Sequence, residues 1–259
     1  MSEVNLKKCI FIVLLLMSSS YLFAQKQNLN IVYIGDSITQ GAQLDDPTTE
    51  APPATASAWL RLQKGIGMVA FSNNGISGFT TVNFLPSTNT VFNKVEQAAN
   101  TFTDKQAALI FSIMLGTNDS AITGPMGSPV SADQYHDNLK SIIDRLLQDF
   151  PKCKIIIQLP IWYSPNTYNG AKYLQEGLTR LQSYFSQINR LKGEYAETHP
   201  KQVFATNKKA FHYFRKNYLT DLKPEEGRQG TFYLHPNKKG DEVLGTFWAK
   251  AIYKMISKN

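Results

Sequence analysis

The chain predicts a three-layer α/β/α fold, with a mainly parallel sheet of five strands between helices. Two observations carry that expectation. Short, continuous apolar runs alternate with longer stretches of helical periodicity, the pattern of a parallel sheet flanked by helices. The first three runs also end directly in clusters of Gly, Ser, Asn or Asp. Strands are expected at Leu29–Ile34, Met68–Phe71, Ala107–Leu115 and Lys154–Leu159, with a weaker fifth at Val203–Ala205. Their unbroken apolar character suits strands covered on both faces.

Three helices are marked more sharply. Ser131 with Gln134 forms a capping-box pattern. Tyr135, Leu139, Ile142, Leu146 and Phe150 follow at helical spacing until Pro151 stops the run. Leu174, Leu178, Leu181, Phe185, Ile188 and Leu191 form a second stripe, and Val243, Leu244, Phe247, Trp248, Ile252 and Ile256 a third. All three read as core-facing surfaces.

The N-terminus reads as a secretory signal peptide over residues 1–24: Lys7 and Lys8, an apolar run from Cys9 to Met17, then small residues up to Ala24. The run is shorter than the roughly 20 residues of a membrane span. Residues 25–259 then form one domain, exported to the periplasm or outside the cell, with no stable membrane insertion after cleavage. Cysteine use agrees. Of the two cysteines in 259 residues, Cys9 would leave with the signal and Cys153 cannot form an internal disulfide alone. The net charge of +7 is spread over pairs such as Lys208-Lys209 and Lys238-Lys239, without the basic stripe of a nucleic-acid binder, so no nucleic-acid partner is expected.

In a parallel open sheet the carboxyl ends of the strands share an edge, where ligands bind. The clusters Gly35-Asp36-Ser37, Ser72-Asn73-Asn74-Gly75 through Gly78, and Gly116-Thr117-Asn118-Asp119 would therefore meet. Ser37, placed between a strand and a helix, has the exposure a nucleophile needs. Gly35-Asp36-Ser37 with Gly41, Asn73 through Thr81, Gly116-Thr117-Asn118-Asp119 and His235-Pro236-Asn237 occur in that order. In these blocks the chain resembles the SGNH/GDSL hydrolase superfamily, across nearly all of the mature sequence. The resemblance implies a flavodoxin-like SGNH fold and a serine esterase without a cofactor. It implies Ser37 as nucleophile, His235 as general base, and an oxyanion hole from the Ser37 and Gly78 N–H groups and the Asn118 amide, with Gly75 the less favoured donor. No two of His136, His199, His212 and His235 share metal-ligand spacing on a helix, and no metal is expected. His136 and His199 read as surface residues, and His235 as a residue of a short loop.

One position departs from the family. An aspartate usually stands three residues before the histidine, where this chain has Phe232. The first expectation is a backbone carbonyl accepting the imidazole Nδ1–H. The second is an acid folding back from the preceding stretch, with Asp221, Glu225 and Glu226 as candidates. The third is weak or lost activity, leaving a glycan- or lipid-binding protein on a hydrolase scaffold. Aromatic residues after the fourth strand, Trp162 and Tyr163 among them, suit stacking on a sugar or simple packing of a loop. The nearest resemblance within the superfamily, to exported carbohydrate esterases including sialate O-acetylesterase-like proteins, implies hydrolysis of an acetyl ester on a sugar. A lysophospholipase or thioesterase activity is the alternative.

Overall fold

The computed structural model describes residues 26–88 and 91–257. The proposed signal segment lies outside the described residues. Five strands, β1 (Gln27–Gly35), β2 (Ile66–Gly75), β3 (Ala108–Met114), β4 (Lys154–Ile157) and β5 (Val203–Ala205), form one sheet in the order β2-β1-β3-β4-β5. Every pairing in it is parallel. The three-layer fold read from the sequence is present, and all five expected strands are in it, β4 ending two residues early.

The helices are α1 (Ser37–Gln40), α2 (Pro47–Glu50), α3 (Pro52–Arg61), α4 (Phe92–Thr101), α5 (Ala132–Asp149), α6 (Leu174–Thr198), α7 (Lys209–Asp221) and α8 (Lys238–Ile256). Half of the expected capping box forms: the Ser131 hydroxyl accepts from Gln134 N–H at 3.2 Å and opens α5, while the Gln134 side chain donates to Asn138 at 2.8 Å instead of turning back to Ser131. One face of the sheet is covered by α3 and α8, where Trp248 stacks on Tyr33 of β1 at 5.8 Å. On the other face α4, α5 and α6 lie side by side, joined by the Arg145–Glu96 ion pair and by stacking of Tyr135 on Tyr184 at 4.0 Å. The core between the layers is aliphatic at its centre, with Ile31, Val32, Ile110, Ile113 and Ile155 fully buried.

Two features were not expected. His136 is buried rather than at the surface, its ring nitrogens facing Asp137 and Glu194, because α6 packs over the first turn of α5. And the segment before α8 is an antiparallel hairpin, β6 (Leu222–Gly227) with β7 (Gly230–Pro236), which places His235 in a strand rather than a loop. His199 is partly exposed.

Close approach of α3 and α8 depends on Gly245. A Cβ there would meet the Thr55 hydroxyl and lie 2.9 Å from the Ala56 nitrogen and the Pro52 oxygen. Gly193 in α6 faces open space. Gly245→Ala is therefore expected to lower the unfolding free energy by about 1–3 kcal/mol through overpacking. Gly193→Ala should raise it by about 0.4–1 kcal/mol by restricting the unfolded chain and favouring helix. Urea unfolding of the two variants beside the wild type checks both signs.

Candidate active site

The carboxyl ends of β1, β2 and β3 do converge, and specific polar contacts hold their loops together. After β1, Asp36 caps α1 by accepting the Ile38 N–H at 3.0 Å, which sets Ser37 in the first turn. At the end of β2, Asn73 donates to the Thr39 carbonyl at 2.9 Å and accepts the Gly75 N–H at 2.9 Å. Only glycine fits at position 75, since a Cβ would strike the backbone of Gln40. Because its N–H is used by Asn73, Gly75 is not a free donor. Gly78 is different: it adopts φ +79°, and among the described residues nothing accepts its N–H.

After β3, the Asn118 amide is fixed at both ends. Its Nδ2 donates to the Phe79 carbonyl at 3.0 Å, and its Oδ1 accepts the Tyr173 hydroxyl at 2.7 Å. That assigns the amide orientation and leaves one Nδ2–H for another acceptor. Neighbouring Asp119 is fully buried and accepts from the Thr81 backbone N–H at 2.9 Å and from its hydroxyl. It thereby ties the Gly78 loop to the Asn118 loop. Ser37, Gly78 and Asn118 line one cleft of about 640 Å³, together with Tyr173 and His235.

The hairpin supplies the imidazole. His235 Nε2 lies 2.9 Å from Ser37 Oγ, and its Nδ1 lies 2.9 and 3.0 Å from the two Glu225 oxygens. The His235 backbone N–H also donates to Glu225 Oε1 at 3.2 Å. The expected backbone carbonyl is thus replaced by a carboxylate. Glu225 on β6 is the rung partner of Phe232 on β7, so the acid arrives from across the hairpin, opposite the position where the superfamily places its aspartate. The hydrogen bond to Glu225 keeps the imidazole proton on Nδ1, so Nε2 can accept the Ser37 hydroxyl proton.

The other two acids are engaged elsewhere. Asp221 accepts from Tyr213 at 2.6 Å, Thr220 at 2.7 Å and Lys239 at 2.6 Å; burial opposes ionisation, but these donors hold its carboxyl below the usual range. Glu226 accepts from Thr231 at 2.9 Å. Trp162 and Tyr163 do not border the cleft, so of the two readings of these aromatics the packed loop is the one the structure shows and substrate stacking is not. Trp162 is buried against Tyr218, and Tyr163 is buried with its hydroxyl 2.9 Å from Ser120. Their apolar rings are used for packing. Tyr163 instead backs Tyr173, the rings 5.5 Å apart. Tyr173 itself escaped the sequence reading, because a tyrosine opening an apolar helix looks like core. Among the described residues no group of three or more His, Cys, Asp or Glu side chains is gathered as a metal site would require.

With this geometry in place, comparison with known proteins identifies the chain. The model of the GDSL-like lipase/acylhydrolase family matches residues 33–243. The chain belongs to that family. This GDSL-like acylhydrolase is a serine ester hydrolase, and its fold recurs in solved structures of low sequence identity. A lipolytic protein of the G-D-S-L family from Veillonella parvula is similar at 18% identity and TM-score 0.55, covering 87% of this chain and 98% of that one. Est24, a carbohydrate acetylesterase from Sinorhizobium meliloti, is similar at 16% identity and TM-score 0.58, with 88% and 99% covered. A Clostridium thermocellum family 3 carbohydrate esterase is similar at 16% identity and TM-score 0.59, with 89% and 98% covered. A search of curated protein sequences finds no match.

The buried carboxyls give the acylhydrolase a distinctive pH response. Burial pushes Asp36 up to about 6 and Asp119 up to about 7, against the hydrogen bonds each accepts from Ile38 and Thr81. Buried Asp241 rises to about 9. A carboxyl with a raised folded pKa holds a proton that the unfolded chain has released. Stability therefore falls as pH rises from the unfolded value toward the folded one, by at most about 1.4 kcal/mol per pH unit for each group. Unfolding free energy is expected to decline between pH 5 and pH 7, and to decline less steeply in Asp119→Asn. Urea unfolding at pH 5, 6 and 7 measures both slopes.

Proposed function

We propose that this acylhydrolase removes short acyl groups, chiefly acetyl, from a carbohydrate, with Ser37 as nucleophile, His235 as general base and Glu225 as the carboxylate that orients and stabilises the imidazolium. The observation that carries the reading is the unbroken chain of hydrogen bonds from Ser37 Oγ through His235 to Glu225, with links of 2.9 and 2.9 Å.

As Ser37 Oγ attacks the ester carbonyl carbon, its proton passes to His235 Nε2. The carbonyl oxygen becomes an oxyanion that the Ser37 N–H, the Gly78 N–H and the spare Asn118 Nδ2–H are placed to receive. Collapse of the tetrahedral species expels the sugar hydroxyl, which takes the proton back from His235. Water then attacks the acyl-serine, again giving its proton to His235, and the carboxylic acid leaves as Ser37 is restored. Donors fixed before the reaction, as Asn118 is by Phe79 and Tyr173, stabilise the oxyanion without reorganising.

The carbohydrate half rests on the walls of the cleft. Gln43, Ser77 and Asn169 contribute polar side chains, while apolar Phe79, Met126 and Leu234 are interspersed among them. Hydroxyl-bearing rings match such a surface better than a long hydrocarbon chain. The similarity in fold to carbohydrate esterases agrees with this choice. Export belongs to the same proposal and rests on the Cys9–Met17 run after Lys7 and Lys8, with residues 25–259 as the single working domain. Among the described residues no helix is long and apolar enough to cross a membrane.

Turnover of p-nitrophenyl esters of two to twelve acyl carbons, and of acetylated oligosaccharides, tests the proposal. Acetyl esters are expected to be fastest, and rates that rise with chain length would contradict the acetyl assignment. Ser37→Ala should lower kcat by at least about 10³-fold. Glu225→Gln, which keeps the shape but loses the charge, should lower kcat by about 10²–10⁴-fold with KM little changed. An unchanged kcat in Glu225→Gln would remove the glutamate from the mechanism.

A further inference from the structure

The face of the sheet that carries α8 is not fully covered. Tyr33, Ser112, Ile156 and Phe204 are neighbours in register across β1, β3, β4 and β5, so their side chains share that face. Trp248 of α8 sits on Tyr33, but toward the β5 edge Phe204 remains partly exposed. There a second cavity of about 740 Å³ opens between α6, the start of α7 and α8. It is separate from the Ser37 cleft and shares no lining residue with it.

Its walls carry one sign of charge. Lys192 of α6, Lys208 and Lys209 at the start of α7, and Lys250 and Lys254 of α8 line it, and no Asp or Glu does. All five lysines are exposed. Among the described residues none of them forms an ion pair with a carboxylate, whereas Lys140, Lys238 and Lys239 each do. Five ammonium groups without a carboxylate partner, Lys208 among them over the Phe185 ring, raise the local potential and concentrate anions. The lining is mixed: Phe204 and Phe247 contribute apolar rings, Phe204 with the Lys154 ammonium over its ring, while Asn189, Thr206 and Asn207 contribute amide and hydroxyl groups.

We infer that this lysine-walled groove is a second binding site, separate from the catalytic cleft, for an acidic oligosaccharide whose sugar rings carry carboxylates. Pyranose rings present an apolar C–H face and a polar rim, which match the phenyl rings and the amides. The carboxylates meet the lysines, whose compact, flexible ammonium groups tolerate a repeating charge better than a fixed fork would. The volume suits a short oligomer, since sites for ligands of drug size span about 300–1,000 Å³. Such a site would hold a uronate-bearing chain on the enzyme while Ser37 works on acyl groups elsewhere along it. The choice of a saccharide rests on the carbohydrate reading of the cleft, but the groove itself does not.

Isothermal titration of the full chain with tetragalacturonate tests the inference, with Ser37→Ala as a second host so that binding is read without turnover. Both hosts are expected to bind alike, more weakly as salt rises. Lys250→Ala/Lys254→Ala and Lys208→Ala/Lys209→Ala should each weaken binding by at least tenfold while p-nitrophenyl acetate turnover stays unchanged. Lys64→Ala/Lys94→Ala removes the same charge outside the groove and should leave affinity within twofold. Equal weakening in that control would overturn the inference, as would equally tight binding of a neutral tetrasaccharide or of a DNA oligomer of matched charge. Should acetyl-ester turnover fail while these lysine effects hold, the groove stands and the substrate reading falls.

Discussion

The hydrogen bond between Ser37 and His235 spans 198 residues of sequence, and two separate parts of the fold have to meet to hold it at 2.9 Å. A serine hydroxyl alone is a poor nucleophile at neutral pH, and a base at the wrong distance leaves it so. The chain meets this constraint from two directions. The parallel sheet fixes Ser37 at the end of β1, where Asp36 caps the first turn of α1. The hairpin after α7 carries His235 back to the same edge, and its first strand brings Glu225 within 2.9 Å of the imidazole. Glutamate and histidine share one small β-unit, which Ser164 and Asn166 tie to the loop after β4 through hydrogen bonds of 2.8 Å to β7.

The side of the cleft that carries Gly78 and Asn118 is held by buried polar groups. Asn118, Asp119, Thr81 and Tyr173 are each almost fully buried, and each finds a partner there. In a low-dielectric setting such bonds are strong when satisfied and costly when broken, which favours a single arrangement. Asp119 bears the cost most directly. It links two loops, and burial raises its pKa to about 7 even though the Thr81 hydrogen bonds favour the ionised carboxylate, so ionising it costs the folded state stability. Rigidity is obtained at the expense of stability at higher pH.

Much of this was legible in the sequence. Continuous apolar runs located the five strands because parallel strands are covered on both faces, and the clusters after them marked the working edge. The hairpin was not legible. β6 reads Leu222-Lys223-Pro224-Glu225-Glu226-Gly227, with little apolar alternation and a proline, so nothing in it signals a strand. Without the hairpin, Glu225 could not be told apart from Asp221 and Glu226, since cross-strand pairing rather than sequence distance decides which acid reaches the histidine. The sequence leaves Trp162 and Tyr163 open between two uses. Amphipathic aromatics suit clefts and cores equally, and here Tyr218 and Ser120 claim them for packing. The lysine groove was invisible because its residues come from three helices and an edge strand, and each pair alone resembles ordinary surface charge.

The central claim is that Ser37 is made reactive by His235 and Glu225, and covalent labelling with a fluorophosphonate reads that reactivity without assuming any substrate. Peptide mapping by mass spectrometry is expected to find a single adduct on Ser37, formed slowly in Glu225→Gln and hardly at all in His235→Ala. Labelling of a different serine, or undiminished labelling of Ser37 when His235 is replaced, would contradict the account.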